Sequence, residues 1–150
     1  MADAAATASQ AASAFRLADV EPGDTIPPLV AEPVTRLQLA LFASAAADSN
    51  PIHVDDAAAR AGGLPGAIVH GMLTMAFLGR LLTRSVPLAS IRALEGRFVA
   101  MAFPGDAITC TGTIVGKSVE AGEQRVEIEL AAQNQRGTKL LAGKASVALA

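Results

Sequence analysis

Tryptophan and tyrosine are absent from this chain of 150 residues, and five phenylalanines are its only large aromatic side chains. A stacking platform for single-stranded nucleic acid needs aromatic faces beside arginines, and this sequence has no such strip. It has no Lys/Arg cluster either. Twelve basic residues against 14 acidic ones leave a net charge of −2, which argues against duplex binding through phosphate neutralisation. A single cysteine, Cys110, excludes an intrachain disulfide and a multi-thiolate metal site. No uncharged apolar run reaches the roughly 20 residues of a membrane span. Residues 1–14 are alanine-rich but have neither the basic start and leucine-rich centre of a secretory signal nor the arginines of an organelle-targeting helix. The expectation is a cytoplasmic protein with no nucleic-acid or membrane partner.

What is present is apolar: 51% of the residues are hydrophobic and 17% charged. Alanine fills most of that quota and buries little area, so the core must lean on Leu, Ile, Val, Met and Phe. A chain of this size makes one domain, and so large an apolar share implies that part of it is covered in a subunit interface. Residues 1–14 read as a flexible tail and 15–150 as the domain. Pro27, Pro28 and Pro33 predict an extended, irregular segment over 25–34. Thr35 suits a helix cap, and Leu37, Leu41, Ala45 and Asp48 share one face of the helix that follows. That helix must stop by Asn50, because Pro51 biases its predecessor away from helical backbone. A short helix over 55–61 runs into Gly62-Gly63. The run 68–82 is uncharged until Arg80 and predicts a central, buried helix. From Ile91 the period changes to two, as in Val126, Ile128 and Leu130 against Arg125, Glu127 and Glu129. Three or four antiparallel strands after one enclosed helix give an α+β domain whose curved sheet wraps that helix.

The unusual side chains gather in Asp48-Ser49-Asn50-Pro51-Ile52-His53. A helix end followed by a proline-directed turn can bring Asp48 and His53 to one point. A carboxylate and an imidazole facing one water can hold it, deprotonate it and return a proton to substrate. Asn50 can fix the loop through a side-chain bond to backbone. The only other histidine, His70, precedes Gly71 at a helix start, where a free amide and the helix dipole can stabilise charge on a carbonyl oxygen. Read alone, these residues also suit a helix-end aspartate, a loop histidine and a glycine turn with His70 as a cap or a packed residue. No P-loop, Rossmann fingerprint, Gly-x-Ser-x-Gly elbow or metal-ligand spacing occurs. Cys110 falls in the apolar register of a strand and reads as a core residue.

The block Asp48-Ser49-Asn50-Pro51-Ile52-His53-Val54-Asp55, followed by Ile68-Val69-His70-Gly71-Met72-Leu73, resembles the MaoC-like dehydratases, also called R-specific enoyl-CoA hydratases or hydratase 2. Arg97-Phe98 and Phe103-Pro104-Gly105-Asp106 resemble the same family, and the likeness spans roughly residues 18–149. It implies a single hot-dog domain, a curved antiparallel sheet around a long central helix. It further implies a catalytic dyad of Asp48 and His53 and an oxyanion donor in the Gly71 amide, with Asn50, His70, Met72 and Gly79 as substrate-binding or supporting residues. The reaction implied is reversible syn hydration of a trans-2-enoyl thioester to an (R)-3-hydroxyacyl thioester, in fatty-acid or lipid metabolism. No metal or redox cofactor is implied, and coenzyme A or the phosphopantetheine of a carrier protein belongs to the substrate. The implied assembly is a homodimer, a higher oligomer or a heteromer with a second hot-dog chain. Two departures stand out. The family's usual glycine before the aspartate is Ala47, a change tolerated if the backbone there is helical. Gly79 stands where some members carry serine, which implies a wider acyl pocket. The rival readings are a hot-dog acyl-CoA thioesterase and a non-catalytic partner subunit of a heteromeric hydratase.

Overall fold

The computed structural model describes residues 17–149, so the tail expected over residues 1–14 lies outside the described residues. The elements run β1 (Thr25–Val30), α1 (Arg36–Ala45), α2 (Asp56–Ala61), α3 (Gly71–Ser85), β2 (Ile91–Phe98), β3 (Ile108–Glu120), β4 (Glu123–Asn134) and β5 (Lys139–Ala148). The strands form one antiparallel sheet in the order β1-β3-β4-β5-β2. α3 buries Leu73, Phe77, Leu78, Leu81 and Leu82 in one apolar cluster with Ile26 and Leu29 of β1, Ile108, Cys110 and Ile114 of β3, Ile128 and Leu130 of β4, and Val147 of β5. This is the α+β arrangement expected, a sheet wrapped about one helix. No helix among the described residues is long and apolar enough to cross a membrane.

The alternation in the C-terminal half sets the inner face of the sheet. Val126, Ile128 and Leu130 are buried and pair with Val147, Ala145 and Gly143, while Glu127 and Glu129 face outward. Cys110 lies on the same inner face, and burial pushes its thiol pKa up to about 12.

Three expectations need correction. The segment after Thr25 is not irregular: it forms β1, which pairs with β3 and slips register between Ile26 and Leu29. Pro27 and Pro28 occupy that slip on an edge strand, the place where a missing N–H costs least. Four strands follow α3, as expected, and β1 adds a fifth to the sheet from ahead of it. In α1, Thr35 is the N-cap as expected, but Leu37 and Leu41 are exposed at 69% and 63%, and Leu39 is the residue fully buried. The helix also ends at Ala45, so Asp48 lies beyond it rather than in its last turn.

The turn at Phe103-Pro104-Gly105-Asp106 ties the start of β3 to the segment before α1. Val34 N–H donates to the Asp106 carbonyl and Gly105 N–H to the Val34 carbonyl. The Asp106 side chain is buried and accepts from Phe103 N–H at 3.0 Å and Gln135 Nε2 at 3.2 Å, with Arg136 Nη2 at 3.0 Å. Burial pushes the carboxyl pKa up, but the Phe103 amide, the neighbouring amide side chains and the Arg136 charge outweigh it and hold it below the usual value. A depressed folded pKa means stability present above the unfolded pKa of about 4 and lost as pH falls through the folded value. Asp106→Ala is therefore expected to cost about 1–3 kcal/mol at pH 7. Urea titrations of both proteins should show that gap shrinking towards pH 3; a gap independent of pH would remove the carboxylate from the account.

Candidate active site

The C-terminus of α1 places the aspartate. Ala46 caps the helix, Ala47 takes the left-handed conformation at φ 54°, and Asp48 N–H donates to the Ala43 carbonyl at 3.0 Å while Ala47 N–H reaches Ser44 at 3.4 Å. These paired bonds are those of a Schellman motif, whose turning residue is favoured as glycine. The backbone at Ala47 is thus not helical, and the condition on which the alanine was expected to be harmless is not met. A Cβ in this conformation meets the following carbonyl.

Asn50 takes over where the helix stops. Its Oδ1 accepts from Ile52 N–H at 3.2 Å, and its own N–H points to Asp48 Oδ1 at 3.4 Å. Pro51 opens the 3-10 turn Pro51–His53, which ends on the histidine. Asp55 then caps α2 through Ala57 and Ala58 N–H. The next residue, Asp56, was not foreseen. It grips Arg36 Nη2 at 2.7 Å and Ala67 N–H at 2.8 Å, and chiefly through that amide its carboxyl pKa is held below the ordinary value. This clamp joins the starts of α1 and α2 to the loop that leads into α3.

Across that loop the two sequence blocks meet. Ile68 N–H donates to the Ile52 carbonyl at 3.1 Å, and His53 Nδ1 lies 2.9 Å from the Ile68 carbonyl. A carbonyl oxygen can only accept, so on the neutral ring Nδ1 carries the proton and Nε2 presents its lone pair. That Nε2 stands 3.7 Å from Asp48 Oδ2, with the His53 side chain 9% exposed and that of Asp48 47%. The gap is too long for a direct hydrogen bond, and a water about 2.8 Å from each atom fits against both. The carboxylate opens to solvent while the imidazole is enclosed.

Gly71 is the first residue of α3, and among the described residues its N–H has no acceptor. It lines a cavity of about 360 Å³ with Val69, Thr74, Phe98, Met101 and Leu140. A Cβ on Gly71 would stand 3.0 Å from the Phe98 ring, so glycine lets the ring and the free amide share one wall. His70 holds the N-cap position without a side-chain cap bond, packed against His53 and Phe42. Met72 is 60% exposed, and a Cβ at Gly79 would meet only Leu94 Cδ2 at 3.8 Å. Asp48, His53 and His70 offer donor atoms within 4.8 Å of one another, a grouping that sequence spacing did not reveal. The stacked imidazoles, with centroids 3.8 Å apart and 22° between planes, keep their lone pairs in separate planes, whereas a metal needs them to converge on one point. A larger cavity, about 620 Å³, opens on the outer sheet face among Glu95, Arg97, Glu129 and Lys144; Asp48, His53 and His70 line neither cavity.

Residues 18–135 match the protein family described as the MaoC like domain. Among curated proteins, the chain is 39% identical over 77 residues to a fatty acid synthase subunit beta of Aspergillus oryzae, covering 49% of this chain and 4% of that one. It is 33% identical over 86 residues to the peroxisomal enoyl-CoA hydratase 2 of Arabidopsis thaliana, covering 55% of this chain and 28% of the relative. The chain thus spans a minor part of the length of these curated relatives. Among solved structures, an (R)-hydratase from A. caviae involved in PHA biosynthesis superposes with a TM-score of 0.76 at 25% identity, covering 88% of this chain and 98% of that one.

The left-handed backbone at Ala47 yields a direct expectation. Ala47→Gly should raise stability by about 1 kcal/mol, since the relieved Cβ contact exceeds the entropy that glycine adds to the unfolded chain. Urea unfolding of the two proteins checks this, and a neutral or destabilising effect would show that the turn tolerates alanine without strain.

Proposed function

Because the chain belongs to the MaoC-like dehydratase family, a family of hydratases and dehydratases, we propose that it adds water reversibly to a trans-2-enoyl thioester, giving the (R)-3-hydroxyacyl thioester. One observation carries this reading. His53 is locked by the Ile68 carbonyl into the tautomer whose Nε2 faces Asp48 Oδ2 at 3.7 Å, and His70 links the pair to the unpaired Gly71 amide. In the proposed reaction, water sits between Nε2 and the carboxylate. Asp48 accepts one of its hydrogens and fixes its orientation. Nε2 takes the other proton as the oxygen bonds to C3. The displaced electron pair moves through C2 onto the thioester oxygen, where the Gly71 N–H and the positive end of α3 stabilise it. The imidazolium then returns its proton to C2 on the face the water entered, so addition is syn and His53 ends neutral. Every proton is accounted for without a metal or redox cofactor. Coenzyme A or a carrier phosphopantetheine enters as part of the substrate, and the space at Gly79 favours a wide acyl group.

The test is hydration of trans-2-butenoyl-CoA, followed by loss of the conjugated thioester absorbance and chiral analysis of the product. Asp48→Asn should lower kcat by about 10²–10⁴-fold while the protein stays folded. Release of free thiol instead would favour a thioesterase.

The proposal includes a homodimer formed through β2. This strand ends the sheet order, so one of its edges has no partner among the described residues. Phe98 at its end and Val99 just beyond are 52% and 47% exposed. Antiparallel pairing of two copies about Gly96 sets Glu95 of each opposite Arg97 of the other on the outer face, and Leu94 opposite Phe98 on the inner face. Cross-strand pairs of both kinds are favourable. Arg97→Glu should then weaken the dimer in sedimentation velocity, and adding Glu95→Arg should restore it. A single variant that dimerises like the wild type would exclude this register.

A further inference from the structure

His70 is 1% exposed, yet among the described residues neither of its ring nitrogens has a hydrogen-bond partner of good geometry, although the Asp48 backbone lies close enough to act on it. Buried polar atoms normally find partners. This ring instead has neighbours on its flat sides. It stacks on His53 with centroids 3.8 Å apart and 22° between planes, and it meets Phe42 at 5.1 Å and 59°. Its backbone is firmly held, because Leu73 N–H donates to the His70 carbonyl at 3.0 Å and the preceding Val69 N–H to Ala102 at 2.8 Å. The ring is therefore a fixed surface built into the start of α3.

The His53 ring needs such a surface. Its bond to the Ile68 carbonyl fixes one atom and leaves the ring free to swing about that point. A flat neighbour in van der Waals contact removes the swing. The neighbour must also stay uncharged, since two imidazolium rings in contact repel. Burial first, then the proximity of His53, lowers the pKa of His70, against an opposing pull from the Asp48 backbone and charge; His53 and Asp48 are the ionisable groups that act on it.

We propose, on the reading of His53 as the base, that His70 is a positioning residue: an uncharged plate that holds the His53 ring plane, so that Nδ1 keeps the Ile68 carbonyl while Nε2 stays aimed at Asp48. The role lies in the face of the ring and not in its nitrogens.

The experiment compares the full-length wild type with His70→Ala and His70→Phe. Ring nitrogen shifts report the tautomer of neutral His53, the only histidine left in either variant, and steady-state kinetics on trans-2-butenoyl-CoA separate kcat from KM. Wild type should show His53 protonated on Nδ1 and His70 neutral at pH 7. His70→Ala should mix the tautomers of His53 and lower kcat by about 10²-fold with KM nearly unchanged, as expected for a misplaced base. His70→Phe should restore the Nδ1 tautomer and most of kcat. A folded alanine variant with one tautomer and wild-type kcat overturns the proposal. So does a charged His70 at pH 7 in the wild type, or a folded phenylalanine variant as impaired as the alanine one. The nitrogen shifts need no substrate, so failure of wild type to hydrate any enoyl thioester would sink the assigned reaction and leave the positioning comparison intact.

Discussion

The burial of one face of α3 is the constraint from which the rest of the molecule follows. Without tryptophan or tyrosine, the chain removes apolar area from water mainly through aliphatic side chains, and Leu73, Phe77, Leu78, Leu81 and Leu82 present theirs on a single helix face. Each fully buried side chain of this kind contributes about 1.5–3 kcal/mol. The helix can neither slide nor turn without exposing several at once. Its first residue is thereby held beside Phe98 at the end of β2, with an amide that has no acceptor among the described residues and a cavity in front of it.

The other half of the site is placed by a different kind of force. Asp48 and His53 lie on short segments with little core of their own, and local hydrogen bonds fix them: the turn at Ala47, the Asn50 side chain, the caps of α2 and the Asp56 clamp on Ala67. The two halves are joined where the Ile68 carbonyl accepts from His53. A solvent-facing carboxylate beside an enclosed imidazole suits a water that must arrive from outside and react inside.

Much of this was legible in the residues. The two-residue alternation from Ile91 onward marks the inner face of the sheet correctly, because a side chain on a strand has only two sides to choose between. Thr35, Asp55, Gly62 and Asn50 act as the caps and stops their chemistry suggests. The errors have a common origin in tertiary context. β1 was hidden because prolines argue against a strand until the strand is known to be at an edge. The exposed face of α1 was misread because Leu37 and Leu41 keep helical spacing without being the buried pair. The position of Asp48 depends on one left-handed residue that an alanine does not advertise. Nor does any spacing in the sequence announce that its two histidines stack, since they are brought together by a loop whose course is set by Asp56 and Ile68.

The single thiol has a practical side. Cys110 is enclosed on the inner face of β3 with a pKa pushed up to about 12, so its thiolate is scarce at neutral pH and reagents do not reach it. Colorimetric reagents for free sulfhydryls will therefore register a thiol released from any added thioester and not the protein itself. A cysteine introduced on the surface would be the one labelled position, giving site-specific attachment of a fluorophore or spin probe without first deleting the native residue.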